Sequence, residues 1–262
     1  MIPKVIHYCW FGRNPKPALI KKCIWSWRKY CPNYKIIEWN EDNFDVNQNR
    51  FCREAYAMKK WAFVSDYVRL RVLYDYGGIY LDTDAELLRP IDILIERGNL
   101  IGFQHENYIN NGLIYASEVH ALFTRDNLSI YENMSFIQSD DSLNMTVCQE
   151  YTTSLLRNAD IQVPDIGQVQ FSKKYQLFVY PSEYFCPIDI RTGQKNMTEN
   201  TYAIHHFMSS WWDPQRIKNK KRLQRKSTIH RIIHLPNYLL KHCIGEQHYE
   251  QLKKKLKGTK EK

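Results

Sequence analysis

Residues 65–84 read Ser-Asp-Tyr-Val-Arg-Leu-Arg-Val-Leu-Tyr-Asp-Tyr-Gly-Gly-Ile-Tyr-Leu-Asp-Thr-Asp, and this stretch decides the fold. Ala62, Val64, Tyr67, Val68, Leu70, Val72 and Leu73 recur at helical spacing, which predicts a helix over residues 53–76. Gly77-Gly78 supplies its stop. Residues 79–81 then form a short buried strand that delivers Asp82, Thr83 and Asp84 at its carboxyl end. In open α/β sheets, ligands sit beyond that end of the strands.

The same alternation extends outward. Residues 5–10 read as a first strand, stopped by Gly12, Asn14, Pro15 and Pro17. Residues 18–30 carry apolar side chains at 19, 20, 23, 24 and 27, a helical face closed by Pro32. Residues 34–39 read as a strand. Downstream, strands are predicted at 100–104, 112–116, 177–180 and 202–206, and a helix at 142–157. Strands alternating with helices predict an α/β fold.

The chain has 262 residues, 44% hydrophobic and 25% charged, which excludes wholesale disorder. Its net charge of +9 is unevenly spread. Residues 213–262 hold 15 Lys and Arg against four acids, a net of +11. Residues 1–212 are then near neutral at −2, so a protein that binds nucleic acid throughout is excluded. Two parts follow: a body over 1–212 and a basic, helix-rich tail over 213–262. No apolar run reaches the roughly 18 residues of a membrane span. Residues 1–7 lack a charged and then apolar leader pattern. The seven Cys form no C-x-x-C pair, so reduced thiols and a cytoplasmic location are expected.

Two carboxylates one residue apart at a strand end can converge on a hard cation, Mn²⁺ or Mg²⁺, that also binds phosphate oxygens. The bare triplet is weak, because a chain with 14 Asp reaches roughly one D-x-D by chance. The preceding helix adds weight. Asp66 and Arg69 are three apart, on one face with Ala62 and Leu73. A carboxylate and a guanidinium beside an apolar stripe need partners: one another, or an acidic site and its ligand.

Together these residues resemble glycosyltransferase family 32, whose signature is a sugar-binding region with a D-x-D motif. The group includes initiating mannosyltransferase-like proteins, capsular polysaccharide enzymes and the glucosylating domain of clostridial toxins. Ile-Pro-Lys-Val-Ile-His-Tyr-Cys-Trp-Phe-Gly at 2–12 and Ala-Ile-His-His-Phe-Met-Ser-Ser-Trp at 203–211 also resemble that family, in its order. The resemblance covers residues 1 to about 212. It implies a GT-A fold, a nucleotide-sugar donor, a divalent cation (Mn²⁺ or Mg²⁺) and retention of anomeric configuration. It gives Asp84 as a direct metal ligand, Asp82 as a ligand through water or a ribose contact, and His205 rather than His206 as the third ligand. It gives Asp66, with Arg69 beside it, to the donor sugar, Tyr80 to the same side, Trp10 to the base, and Ser210 and Trp211 to the diphosphate. The family's Gly-Pro in the acceptor half is missing near Ser139-Asp140-Asp141, and Gln104 stands where Glu is common. Asn110-Asn111-Gly112 suits either acceptor or sugar contact or an Asn-Gly turn.

The expected function is transfer of a hexose, from a uridine diphosphate sugar first, to a glycan or lipid-linked saccharide in capsule or lipopolysaccharide synthesis. Two other readings compete. A D-x-D phosphohydrolase expects Thr or Val two residues after the second Asp, where this chain has Glu86. A non-catalytic nucleic-acid binder would use the tail but leaves the D-x-D context unexplained. No nucleic-acid partner is expected. Residues 229–244 mix apolar and basic side chains, which suits the cytoplasmic face of an anionic membrane.

Overall fold

A computed structural model describes residues 1–105, 107–189, 192–208, 218–219, 222–223 and 244–257. Contacts divide the chain into two units: Met1–Asp189 with Lys195–Trp211, and Ile190–Gln194 with Trp212–Lys262. In the second unit the longest described element is a helix, Glu246–Lys257.

The described residues of the first unit form ten strands: β1 (Val5–Cys9), β2 (Lys35–Trp39), β3 (Gly78–Tyr80), β4 (Ala85–Leu87), β5 (Asn99–His105), β6 (Tyr108–Asn110), β7 (Tyr115–Ser117), β8 (Gln170–Ser172), β9 (Leu177–Tyr180) and β10 (Ala203–His205). Its helices are α1 (Ala18–Tyr30), α2 (Arg50–Ala57), α3 (Trp61–Tyr76), α4 (Asp92–Ile95), α5 (Leu122–Glu132), α6 (Cys148–Arg157) and α7 (Ser182–Phe185). The main sheet runs β2-β1-β3-β7-β5-β9-β8, with β6 on β5, and β4 pairs separately with β10. β1 is parallel to β2 and β3, and β5 is parallel to β9, while β7 returns antiparallel between β3 and β5. This is the α/β class expected from the sequence. The D-x-D sits beyond the carboxyl end of a strand, as the GT-A expectation requires.

α3 anchors the core. Phe63, Val64, Tyr67, Val68, Leu70, Val72 and Leu73 are all buried, and α3 packs against α2, α5, β1 and β3. Each such side chain contributes about 1.5–3 kcal/mol of burial free energy. Gly77 caps the helix at φ +62, and Gly78 follows at φ +99. A Cβ on Gly78 would meet the Val5 carbonyl at 2.7 Å, so the approach of β3 to β1 needs glycine there.

The expected helix over 53–76 is two helices. α2 ends in a Schellman turn: Lys60 N–H donates to the Ala55 carbonyl at 2.9 Å, Lys59 N–H to the Tyr56 carbonyl at 2.9 Å, and Lys59 takes φ +55. Lysine replaces the usual glycine, which hides the break. The expected helix over 142–157 also begins late, at Cys148. Before it, Ser142 bonds to Asp140, and Thr146 N–H donates to Asn144 Oδ1 at 3.1 Å, so side chains compete for the backbone.

Candidate metal and donor site

Asp82 and Asp84 lie in the turn between β3 and β4. Leu81 N–H donates to the His7 carbonyl at 3.1 Å and Asp82 N–H to the Gly112 carbonyl at 2.8 Å, so neighbouring segments fix the strand end. Ala85 N–H donates back to the Asp82 carbonyl at 2.9 Å, which closes the turn. β4 pairs antiparallel with β10, His205 opposite Ala85. That register carries a residue 121 positions away in the chain to Asp84.

The result is a three-ligand cluster. Ligand atoms of Asp82, Asp84 and His205 all lie within 4.8 Å of one another. His205 Nε2 is 3.0 Å from Asp84 Oδ1 and 3.9 Å from Asp82 Oδ2. Met208 N–H donates to Asp84 Oδ2 at 2.8 Å. Burial opposes ionisation of Asp84, but His205 and the Met208 N–H outweigh it and hold the carboxyl at about 2. Burial also opposes the charge on His205, but Asp84 and then Asp82 raise it above its ordinary value. Two carboxylates and an imidazole suit a divalent cation such as Mn²⁺ or Mg²⁺, with Mn²⁺ the better match to the nitrogen. His206 points elsewhere, its Nε2 2.8 Å from Glu86.

Arg69 organises the other side. Its side chain is 5% exposed, with Nη2 3.1 Å from Asp82 Oδ1 and 3.2 Å from Asp66 Oδ1. Nε donates to the Ser65 carbonyl at 3.2 Å and Nη1 to Asn111 Oδ1 at 2.9 Å. With Cys148 Sγ 3.6 Å from Nη1 as well, every nitrogen of the guanidinium has a partner, which a buried cation requires. Burial raises Asp82, with Arg69 and His205 partly offsetting it, and Asp84 adding to it. Burial pushes Asp66 up to about 6, against the pull of Arg69. The Tyr80 ring, buried, lies 4.9 Å from the guanidinium carbon and supports it by cation–π contact.

Residues 110–112, which in sequence suit acceptor or sugar contact or a turn, all support the D-x-D. Asn110 Oδ1 accepts from Gly112 N–H at 2.7 Å. Asn111 Nδ2 donates to Thr152 Oγ1 at 3.1 Å, and Asn127 Nδ2 reaches the same oxygen at 3.0 Å. A Cβ on Gly112 would lie 2.1 Å from Asp82 Oδ2 and 2.8 Å from Arg69 Nη1. Glycine is needed there because the D-x-D rests against its backbone.

Trp10 follows β1, and its N–H donates to the Trp39 carbonyl at 2.9 Å. The indole N–H bonds the Asn14 carbonyl at 2.7 Å, and Lys16 lies 5.4 Å from the ring centroid. Trp10, Arg13, Asn14, Lys16, Glu38, Asn40, Glu41 and Asp42 line an open cleft of about 260 Å³. Ser210 and Trp211 lie outside the described residues.

The fold and site define an α/β protein with paired strand-end carboxylates, a converging imidazole and a buried Asp–Arg pair. Residues 17–101 match the family described as the glycosyltransferase sugar-binding region containing DXD motif, and the Asp82–Asp84 triplet falls inside the match. An uncharacterised glycosyltransferase of Acanthamoeba polyphaga mimivirus is 25% identical over 224 residues, 80% of this chain and 84% of that protein. Inositol phosphoceramide mannosyltransferase 1 of Schizosaccharomyces pombe is 29% identical over 111 residues, 38% of this chain and 33% of that protein. A human alpha-1,4-N-acetylglucosaminyltransferase is 38% identical over 60 residues, 22% of this chain and 16% of that protein. The chain thus spans most of the mimiviral protein and a third or less of the other two. Among solved structures, a glycosyltransferase involved in glycosylation of the major capsid of PBCV-1 gives a TM-score of 0.46 at 9% identity, covering 85% of this chain and all of that one. The PaToxG glycosyltransferase gives 0.38 at 19% identity, covering 49% of this chain and 59% of that one. This chain is a glycosyltransferase with a DXD sugar-binding region.

Proposed function

We propose that the chain is a metal-dependent, configuration-retaining hexosyltransferase. It moves a hexose from a nucleotide diphosphate sugar, a uridine diphosphate sugar first, to a glycan or lipid-linked saccharide in surface polysaccharide synthesis. The observation that carries the reading is the convergence of Asp82, Asp84 and His205 beside the buried Asp66–Arg69 pair. Relatives named as a mannosyltransferase and an N-acetylglucosaminyltransferase support a sugar of hexose size. Retention follows from the family resemblance, and no protein nucleophile is assigned.

When bound, the divalent cation supplies Lewis-acid stabilisation of the departing diphosphate. Asp84 and His205 would hold it, and Asp82 would reach it through water or contact the ribose. Arg69 fixes Asp82 in one rotamer, so the acidic edge needs no reorganisation during transfer. Asp66 accepts from hydroxyls of the donor sugar. Trp10 offers its ring to the base, and Ser210 and Trp211 close on the diphosphate. Holding the acceptor hydroxyl near the anomeric carbon supplies the proximity gain. Among the described residues no helix is long and apolar enough to cross a membrane. We place the enzyme in the cytoplasm, its 213–262 tail suited to an anionic membrane face.

A panel of nucleotide sugars, screened by thermal shift with and without Mn²⁺ and by hydrolysis without acceptor, tests the reading. The expected result is a Mn²⁺-dependent Tm rise with a uridine diphosphate hexose, and slow hydrolysis. A response to guanosine diphosphate mannose alone would keep the transferase and change the donor. No metal-dependent response to any nucleotide sugar would refute it.

A further inference from the structure

Helix α1 has two faces. Ile20, Cys23, Ile24, Ser26 and Trp27 are buried, and the helix packs on β4. The opposite face exposes Lys21, Lys22, Trp25, Arg28 and Lys29, which share one stripe of the helix surface. α1 contains no acidic residue. Lys22 pairs with Glu86 at 2.8 Å. Among the described residues, Lys21, Arg28 and Lys29 have no carboxylate within ion-pair distance. At the centre of these cations Trp25 is 58% exposed, with the Lys29 ammonium 5.4 Å from its ring centroid. A large indole held in water amid uncompensated cations has no task in the fold or the donor site.

We propose that this face seats the enzyme body on an anionic lipid membrane surface. Trp25 enters the headgroup layer, and Lys21, Arg28 and Lys29 meet the lipid phosphates. An indole is suited to that layer, because it has an apolar body and one polar N–H. Each cation brought to an anionic surface strengthens binding by about fivefold. A nucleic acid fits less well, since a strand-binding face offers several aromatic rings in series and this one offers a single ring. Lys22 also ties the face to Glu86, two residues beyond Asp84. A seated α1 therefore keeps the D-x-D turn near the lipid, within reach of a lipid-linked acceptor. That last step rests on the proposed function. The seating itself does not.

The test is co-flotation of the full chain with vesicles of phosphatidylcholine plus phosphatidylglycerol, against phosphatidylcholine alone. The wild type is expected to float with the anionic vesicles only. Lys21→Gln with Lys29→Gln is expected to weaken partitioning by about 25-fold. Trp25→Ala is expected to abolish the fluorescence quenching that brominated lipid causes in the wild type. Both variants should keep the wild-type Tm and the wild-type rate of nucleotide-sugar hydrolysis in solution. Flotation is read without donor or metal, so it stands even if the donor reading fails. Equal flotation of wild type and double variant would overturn the proposal, as would no flotation at all. Binding of duplex DNA that the double variant loses, without flotation, would assign the face to a dissolved polyanion instead and would also overturn it.

Discussion

Substituting Gly112 by Ala tests the most constrained contact in the site. The new methyl would sit 2.1 Å from Asp82 Oδ2 and 2.7 Å from its Cγ, with Arg69 Nη1 at 2.8 Å. Ordinary contact requires these atoms to move by more than about 1 Å. Asp82 is an end group and can rotate, but it is held by Arg69 at 3.1 Å and its own N–H is bonded to the Gly112 carbonyl. Overpacking of this kind costs about 1–3 kcal/mol, and for a unit of this size each kcal/mol lowers Tm by roughly 2–4 °C. A displacement of about 1 Å in a catalytic group costs on the order of 100-fold in rate. The loss of activity should therefore exceed what the change in folded fraction explains. Mn²⁺-dependent hydrolysis of the nucleotide sugar, measured well below Tm, reads the first effect, and a thermal melt reads the second. In an Asp82→Ala background only the contact with Arg69 Nη1 at 2.8 Å remains, so the stability penalty should shrink, a non-additive pair. Wild-type turnover and metal affinity in Gly112→Ala would refute the claim that this glycine holds the D-x-D in place.

Asp84→Asn should abolish Mn²⁺-dependent donor binding, seen as loss of the thermal shift, while leaving the far-ultraviolet circular dichroism unchanged. Asn111→Ala leaves Arg69 Nη1 only the weak Cys148 Sγ acceptor at 3.6 Å. A buried charged donor left poorly paired costs about 1–3 kcal/mol of stability, so the thermal melt should fall and kcat with it while donor KM stays nearly unchanged, and Asn111→Asp should restore part of both. The carboxyl of Asp66 is pushed up to about 6 by burial, so the folded state keeps its proton to higher pH than the unfolded state. Stability should then fall as pH rises from about 4 to about 6, by about 3 kcal/mol, and denaturant titrations of Asp66→Asn should lack that fall. Burial disfavours the charge on His205, but Asp84 outweighs it and keeps the proton on beyond the ordinary imidazole range, whereas a ligating imidazole must be neutral. Mn²⁺ affinity should therefore climb with pH until His205 is neutral and then level off, and calorimetry showing a flat profile would contradict the ligand set.

Much of the body is legible before any coordinates, and what is missed has physical causes. β1, α1 and the turn into Asp82 carry strong local signals: apolar runs, prolines and paired glycines. α5 does not. Its buried face is Phe123, Thr124, Asn127, Leu128 and Tyr131, and the two polar members dilute the periodicity. Asn127 is buried because Thr152 accepts from it, a partner from another helix. β4 escapes notice because it is three residues long and, among the described residues, pairs only with β10. The residues of the candidate site divide in the same way. Asp66, Arg69, Asp82 and Asp84 lie within 19 residues of one another and can be read as a local pattern. Asn111 and Gly112 look like an ordinary turn. Their contact with Arg69 and Asp82 depends on β7 returning antiparallel beside β3, a pairing no local pattern announces. His205 stands out in sequence only by the resemblance. Its approach to Asp84 follows from the β4–β10 register.

The charges of the cluster explain why so many acids gather where burial disfavours them. Asp66, Asp82 and Asp84 bring three negative charges, and Arg69 returns one. With His205 protonated the balance is −1, and the bonds from His205 and Met208 to Asp84 satisfy part of the excess. With His205 neutral the balance is −2, which one divalent cation cancels. In the proposed metal site the same imidazole would serve both states, as a cation that closes the site and as a neutral ligand that opens it to metal. Replacing Arg69 by Gln would raise the excess by one charge and free Asp82 to rotate. Affinity for Mn²⁺ alone should then rise or hold, while donor hydrolysis collapses, because the cation gains charge and loses its fixed geometry. A parallel loss of both would show instead that Arg69 serves only to keep the site folded.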